Sequence, residues 1–231
     1  MSGKEITIAA KDGGSFMGYL ALPEGGTGPG VVVIQEVFGV NAVMRELTDG
    51  MAAAGYVALC PDLFWRQEPG IQLTDQTEEE WARAFELFNG FDLEKGVDDL
   101  EATIQALRAV EGCSDKVGTV GFCLGGRLAF LTATRTSADA AVSYYGVMLS
   151  DHTGEELKAP CMLHIATEDE FVPKEQQAAV HAALDGNPQA TLYDYEGQNH
   201  AFARTGGQHY DKESADLARE RTLSFFKKNL D

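Results

Sequence analysis

Apolar and polar positions along the chain follow two alternating rhythms. Short runs rich in β-branched and other apolar residues predict strands at 6–9, 17–22, 31–35, 57–60, 117–122, 140–145, 161–165 and 191–195. Helices are predicted between and after them at 43–54, 78–88, 93–110, 125–133, 174–184 and 212–229. The third helix has the clearest period: Leu93, Val97, Leu100, Ile104, Leu107 and Val110 recur at steps of three and four and place one apolar stripe against a sheet. Gly112, just beyond, is a helix stop. The first two strands are separated by Asp12-Gly13-Gly14 and form a hairpin. The run 31–35 has the unbroken apolarity of a buried strand. Strands alternating with helices predict an α/β fold with a mostly parallel central sheet and helices on both faces. Residues 62–75, bracketed by Pro61 and Pro69-Gly70, form a loop rather than a linker. No repeat or low-complexity tract divides the chain, so one domain is expected over 1–231.

Charge narrows the partners. With 36 acidic against 18 basic side chains, the formal net charge is -18. A surface this negative repels phosphate backbones and anionic lipid, so neither nucleic acid nor membrane is an expected partner. No segment approaches the roughly 18 to 20 apolar residues that span a bilayer. The first five residues carry no apolar signal core, and the expectation is a cytoplasmic monomer. None of the four cysteines, Cys60, Cys113, Cys123 and Cys161, lies in a C-x-x-C pair, so neither a zinc site nor a dithiol motif is predicted. Cys60 and Cys161 fall in strand-like runs and read as core; Cys123 does not fit that account.

Cys123 lies in Gly121-Phe122-Cys123-Leu124-Gly125-Gly126, directly after a β-branched strand and before a helical run. This is the G-x-S-x-G nucleophile elbow of the α/β-hydrolase fold, with cysteine in place of serine. A side chain two positions to either side would collide with the neighbouring strand and helix, which is the work of the glycines. The turn exposes the sulfur beside a helix N-terminus, where the dipole and free N–H groups favour thiolate. The N–H of Leu124 can face an oxyanion forming on a substrate carbonyl.

α/β-Hydrolases supply nucleophile, acid and histidine in that chain order. After the strand 161–165 comes Glu168-Asp169-Glu170-Phe171-Val172-Pro173, and a carboxylate just past a strand end is where the fold places its acid. Asp169 is the choice, with Glu168 and Glu170 as flanking competitors that spacing leaves open. After the last strand, His200 stands on a loop ahead of the terminal helix, the expected place of the general base. His164 lies within a strand and reads as core, His181 on a helix, and His152 and His209 are the remaining alternatives.

These stretches resemble the dienelactone hydrolase (carboxymethylenebutenolidase) family over nearly the whole chain. The resemblance is carried by Gln35-Glu36-Val37-Phe38-Gly39-Val40-Asn41, Cys60-Pro61-Asp62-Leu63, Phe91-Asp92-Leu93-Glu94, Gly121 to Gly126, Tyr144-Tyr145-Gly146-Val147, Asp169 to Pro173 and His200-Ala201-Phe202-Ala203-Arg204. It implies a Cys123-His200-Asp169 triad, a Glu36 that contacts the resting thiol, and the Val37 N–H as second oxyanion donor. It further implies that Arg204 binds a substrate carboxylate, for which a bidentate guanidinium is suited. Phe38 and Tyr144, within the matching stretches, join the expected substrate-binding positions.

One position departs from the family pattern. Where members acting on dienelactone carry a second carboxylate-binding arginine, this chain has Trp81. Arg83 is two residues on, turned about 200° around a helix, and does not replace it. The reading that results is a hydrolase of a small ester or lactone working through covalent cysteine chemistry, without metal or organic cofactor. A bulkier or less acidic ester than dienelactone also fits. The alternatives are a broad carboxylesterase or thioesterase on the same triad, a non-catalytic binding or sensor protein on the same fold, and a redox-sensing thiol without hydrolysis.

Overall fold

The computed structural model describes residues 3–231; the first two residues of the domain expected over 1–231, and of the N-terminal segment read above, lie outside the described residues. The strands are β1 (Lys4–Ala9), β2 (Ser15–Ala21), β3 (Gly28–Ile34), β4 (Val57–Pro61), β5 (Cys113–Phe122), β6 (Ala140–Tyr144), β7 (Cys161–Ala166) and β8 (Ala190–Tyr195). They form one sheet in the order β1-β2-β4-β3-β5-β6-β7-β8. The β1–β2 hairpin is antiparallel and joins β4 antiparallel, while every pair from β4 to β8 is parallel. The central strands are apolar throughout because both faces are covered: Val31, Val32, Val33 and Ile34 are wholly buried.

The helices are α1 (Ala42–Ala53), α2 (Glu78–Asn89), α3 (Leu93–Arg108), α4 (Leu124–Arg135), α5 (Lys174–Leu184) and α6 (Lys212–Leu230). Four of them begin on a side-chain cap that accepts an otherwise orphaned backbone N–H: Asn41, Thr77, Asp92 and Asp211. The α3 stripe is buried at Val97, Leu100, Ile104 and Leu107, with Leu93 and Val110 half-buried at its ends. No helix among the described residues is long and apolar enough to cross a membrane.

Two strands extend past their apolar signal. β5 begins at Cys113, and its polar first residues pair with β3 near Gly28 ahead of a register shift. β3 likewise starts at Gly28, where a Cβ would lie 2.1 Å from the Gly55 carbonyl oxygen. Here backbone pairing continues where the side-chain pattern has stopped, so hydropathy alone falls short of the strand ends.

Parallel strands send their C-terminal ends to one edge, where α/β folds bind ligands. The residues following β3, β5, β6, β7 and β8 all meet there: Glu36–Phe38, Cys123, Tyr145, Asp169 and His200.

Candidate active site

Cys123 joins β5 to α4 with φ 57° and ψ -116°, a conformation that an L-residue adopts only under constraint. The constraint is visible. Its N–H donates to the Tyr144 carbonyl at 3.1 Å, and its own carbonyl accepts from Gly126 at 3.0 Å, Arg127 at 3.2 Å and Val147 at 3.3 Å. The turn closes because the flanking residues lack Cβ atoms. A Cβ on Gly125 would sit 2.4 Å from the Ile34 carbonyl oxygen, and one on Gly126 2.5 Å from that of Tyr144. The non-glycine residues with positive φ among the described residues are Cys123, Tyr145, Met148 and Ala201, and all four stand at this edge. Backbone strain is concentrated where the chemistry is expected.

Of the three neighbouring acids after β7, Asp169 is the one that reaches the histidine. His200 Nδ1 lies 3.0 and 2.9 Å from its two carboxylate oxygens. Asp169 is itself held by the N–H groups of Phe171 at 2.8 Å and Val172 at 3.1 Å. Glu168 instead pairs with Lys174 on the surface, and Glu170 is exposed. The loop carrying His200 is pinned by Asn199, whose side-chain oxygen accepts from the N–H groups of His200 and Glu170.

His200 is 3% exposed, with its ring edge-on to Phe171 and Tyr145. Burial alone would lower its pKa, but the neighbouring Cys123 and the Asp169 carboxylate outweigh it and raise it to about 10. The Nδ1 proton is directed at Asp169, which leaves Nε2 toward Cys123; that atom makes no hydrogen bond of normal geometry in this state. The Leu124 and Val37 backbone N–H groups have no acceptor among the described residues.

The buried ion cluster beside the thiol differs from what the family resemblance implies. Glu36 does not hydrogen-bond Cys123. Its Oε2 accepts from Arg204 Nε at 2.8 Å, and its Oε1 is buried without a partner. Arg204 also donates from Nη1 to Asp75 Oδ2 at 2.9 Å, and its guanidinium lies 4.8 Å from the Phe38 ring centroid. Desolvation opposes the guanidinium charge, but the Glu36 and Asp75 carboxylates prevail and raise its pKa. The arginine expected to hold a substrate carboxylate thus already holds two of the protein's own, because the 62–75 loop folds back over the site.

Tyr144 requires correction. Its hydroxyl is 2.7 Å from Thr222 Oγ1 on α6, and its ring packs on His164, so it belongs to the opposite side of the sheet. His164 is core, hydrogen-bonded to Tyr195 and Thr222, and burial lowers its pKa to about 3. Tyr145 is the one that neighbours the site, its ring edge-on to His200, and its hydroxyl is buried without a partner. Burial first, then the charges of Glu36 and Cys123, push its pKa well above the usual phenol value. The sequence signal was the Tyr-Tyr pair at a strand end: successive residues face opposite ways, so only one of the two could pack toward the histidine of the site.

Cys123, His200 and Arg204 open into a cavity of about 190 Å³ whose other walls are apolar, among them Val37, Trp81, Phe85 and Phe171. A more polar vestibule of about 330 Å³ adjoins it, bordered by Asp75, Glu170, Gln208 and His209. Sequence reasoning missed Asp75, Phe171, Val147 and Met148, all on loops where hydropathy carries no directional signal. Among the described residues, no group of three or more His, Cys, Asp or Glu side chains is arranged to hold a metal ion.

The sequence and the fold both have relatives over nearly their full length. A protein of Azospirillum brasilense is 50% identical over 230 residues, covering 98% of this chain and 99% of its own. The carboxymethylenebutenolidase of Pseudomonas putida is 41% identical, covering 95% and 94% respectively. A crystal structure from Klebsiella pneumoniae superposes with a TM-score of 0.87 at 26% identity, over 98% of each chain. The sequence model of the dienelactone hydrolase family matches residues 16–230. With an α/β-hydrolase sheet and relatives of this kind over almost its full length, the chain belongs to the dienelactone hydrolase family and is a hydrolase of esters or lactones.

Proposed function

We propose that the protein cleaves its ester or lactone by covalent catalysis through Cys123, with His200 as general base and acid and Asp169 orienting it. The observation that carries this reading is the buried Asp169–His200 pair, 2.9 Å apart, presented to a cysteine on a strained elbow. Nδ1 held by a carboxylate leaves Nε2 free to exchange a proton at the reacting atoms.

With its proton already resting on His200 Nε2, Sγ of Cys123 attacks the carbonyl carbon as thiolate. The oxyanion that forms is within the reach of the Leu124 and Val37 N–H groups, both free of protein acceptors. Collapse breaks the carbon–oxygen bond, and the imidazolium returns its proton to the departing alkoxide or enolate. A thioester remains on Cys123. Water, losing one proton to His200, then attacks the thioester; sulfur leaves as thiolate beside the imidazolium, and the acid product departs, giving its remaining proton to solvent. The name of the Pseudomonas putida relative makes a carboxymethylene butenolide the first lactone to assay.

The test is Cys123→Ala, which should reduce ester hydrolysis by roughly a thousandfold or more while leaving the fold intact. Rapid quenching of the wild type should place an acyl mass on the Cys123 peptide. Full activity in Cys123→Ala would overturn the assignment.

A further inference from the structure

We infer that the substrate group occupying the apolar cavity is neutral and carries a flat ring, and that Asp75 sets this preference. The inference rests on the hydrolase reading above and names the substrate class of that same site.

Charge balance is the first observation. Arg204 is the one Lys or Arg side chain lining the cavity among the described residues. It stands between Glu36 at 2.8 Å and Asp75 at 2.9 Å, with 8% of its side chain exposed. Two carboxylates therefore oppose one guanidinium before any substrate enters. A substrate carboxylate would have to displace Glu36 or Asp75 from Arg204 or enter as a third anion, and a buried carboxylate left uncompensated opposes either course. The protein's overall charge of -18 works in the same direction.

The walls are the second observation. Trp81 stacks on Phe85 with ring centroids 5.6 Å apart and on Phe171 at 6.2 Å, and meets the edge of Phe38 at 5.0 Å. Its indole N–H donates to the Asp75 backbone carbonyl at 3.1 Å, so the residue that neutralises Arg204 also orients the largest aromatic wall. Phe85, Phe171 and Met148, between 38% and 42% exposed, are three of the six large apolar side chains left open to solvent among the described residues. Their gathering at one mouth marks an apolar ligand surface, because such patches on a protein surface tend to be functional. Flat rings stack favourably against such walls.

The experiment compares two lactones that differ in the exocyclic group: the anionic carboxymethylene butenolide and the neutral γ-benzylidene butenolide. Phenyl acetate serves as a general ester. Wild type should give a kcat/KM at least about tenfold higher for the neutral lactone. Asp75→Asn should shift the ratio toward the anionic lactone by about tenfold, since Arg204 loses one of its two anions. Trp81→Ala should raise KM for the neutral lactone more than for the anionic one. Equal or better wild-type turnover of the anionic lactone, or an unchanged ratio in Asp75→Asn, would overturn the inference while leaving the hydrolase reading standing. Failure of wild type on all three compounds would remove the hydrolase reading and this inference with it.

Discussion

Gly121 and Gly125 approach so closely across the elbow that a Cβ on Gly121 would lie 1.8 Å from the Gly125 carbonyl oxygen. The contact is with backbone, which cannot swing aside as a side-chain end can. Gly121→Ala is therefore expected to destabilise the fold by about 3 kcal/mol or more, the upper range of overpacking. Gly25→Ala, with no atom within 4 Å of the added Cβ, should stay within about 0.5 kcal/mol of wild type. Urea denaturation of the two variants side by side checks the contrast. A Gly121→Ala protein as stable as Gly25→Ala would mean that the elbow has more room than its geometry shows.

The cysteines differ in their surroundings, and alkylation should report it. Burial pushes the thiols of Cys60 and Cys161 up to about 12 and that of half-buried Cys113 to about 11. Cys123 alone opens into the cavity. Iodoacetamide near neutral pH should label Cys123 first and abolish hydrolysis in step with labelling, since the thiolate is the reacting species. Peptide mass mapping decides the order, and prior labelling of Cys113 without loss of activity would contradict it.

The strand–helix alternation, the α3 stripe and the elbow were legible in the sequence because each is a short-range pattern with one physical cause. Cys123, Asp169 and His200 could be proposed because the fold fixes which strand end each must follow. What stayed hidden is long-range pairing of charge. Glu36 and Arg204 are 168 positions apart, and Asp75 is 129 from Arg204, so no local spacing announces that the three form one cluster. A loop carboxylate such as Asp75 has no periodicity to mark it as inward-facing. The exchange of Tyr145 for Tyr144 has the same root, since the sheet's facing is set by partners and not by the dipeptide.

Stability should depend on pH through His200. Its folded-state pKa is raised from 6.5 to about 10 by Cys123 and Asp169 against the opposing effect of burial. A raised pKa means that the folded state binds the proton more tightly than the unfolded chain. The stabilisation is thus fully present below about pH 6.5 and is lost as pH rises through 10. Measured as the difference in unfolding free energy between wild type and His200→Gln, the wild-type advantage should shrink steadily across that interval. A difference that stays constant, or grows with pH, would show that the imidazole is not held as a cation.

Tyr145 offers a separation of stability from activity. Its hydroxyl is fully buried beside Cys123 and Glu36 and finds no hydrogen-bond partner, an arrangement that costs the resting protein about 1 to 3 kcal/mol. Tyr145→Phe removes the orphaned group and keeps the ring that packs edge-on against His200 and Phe202. The variant should therefore be more stable than wild type by about 1 kcal/mol, with a higher Tm. The phenol pKa, held well above its usual value, keeps the hydroxyl a donor beside Cys123 and Glu36 throughout the working pH range. Loss of that donor should lower kcat/KM by about tenfold, the worth of one hydrogen bond at about 1.4 kcal/mol. A purely structural hydroxyl would give the opposite pattern, with stability falling and kcat/KM unchanged.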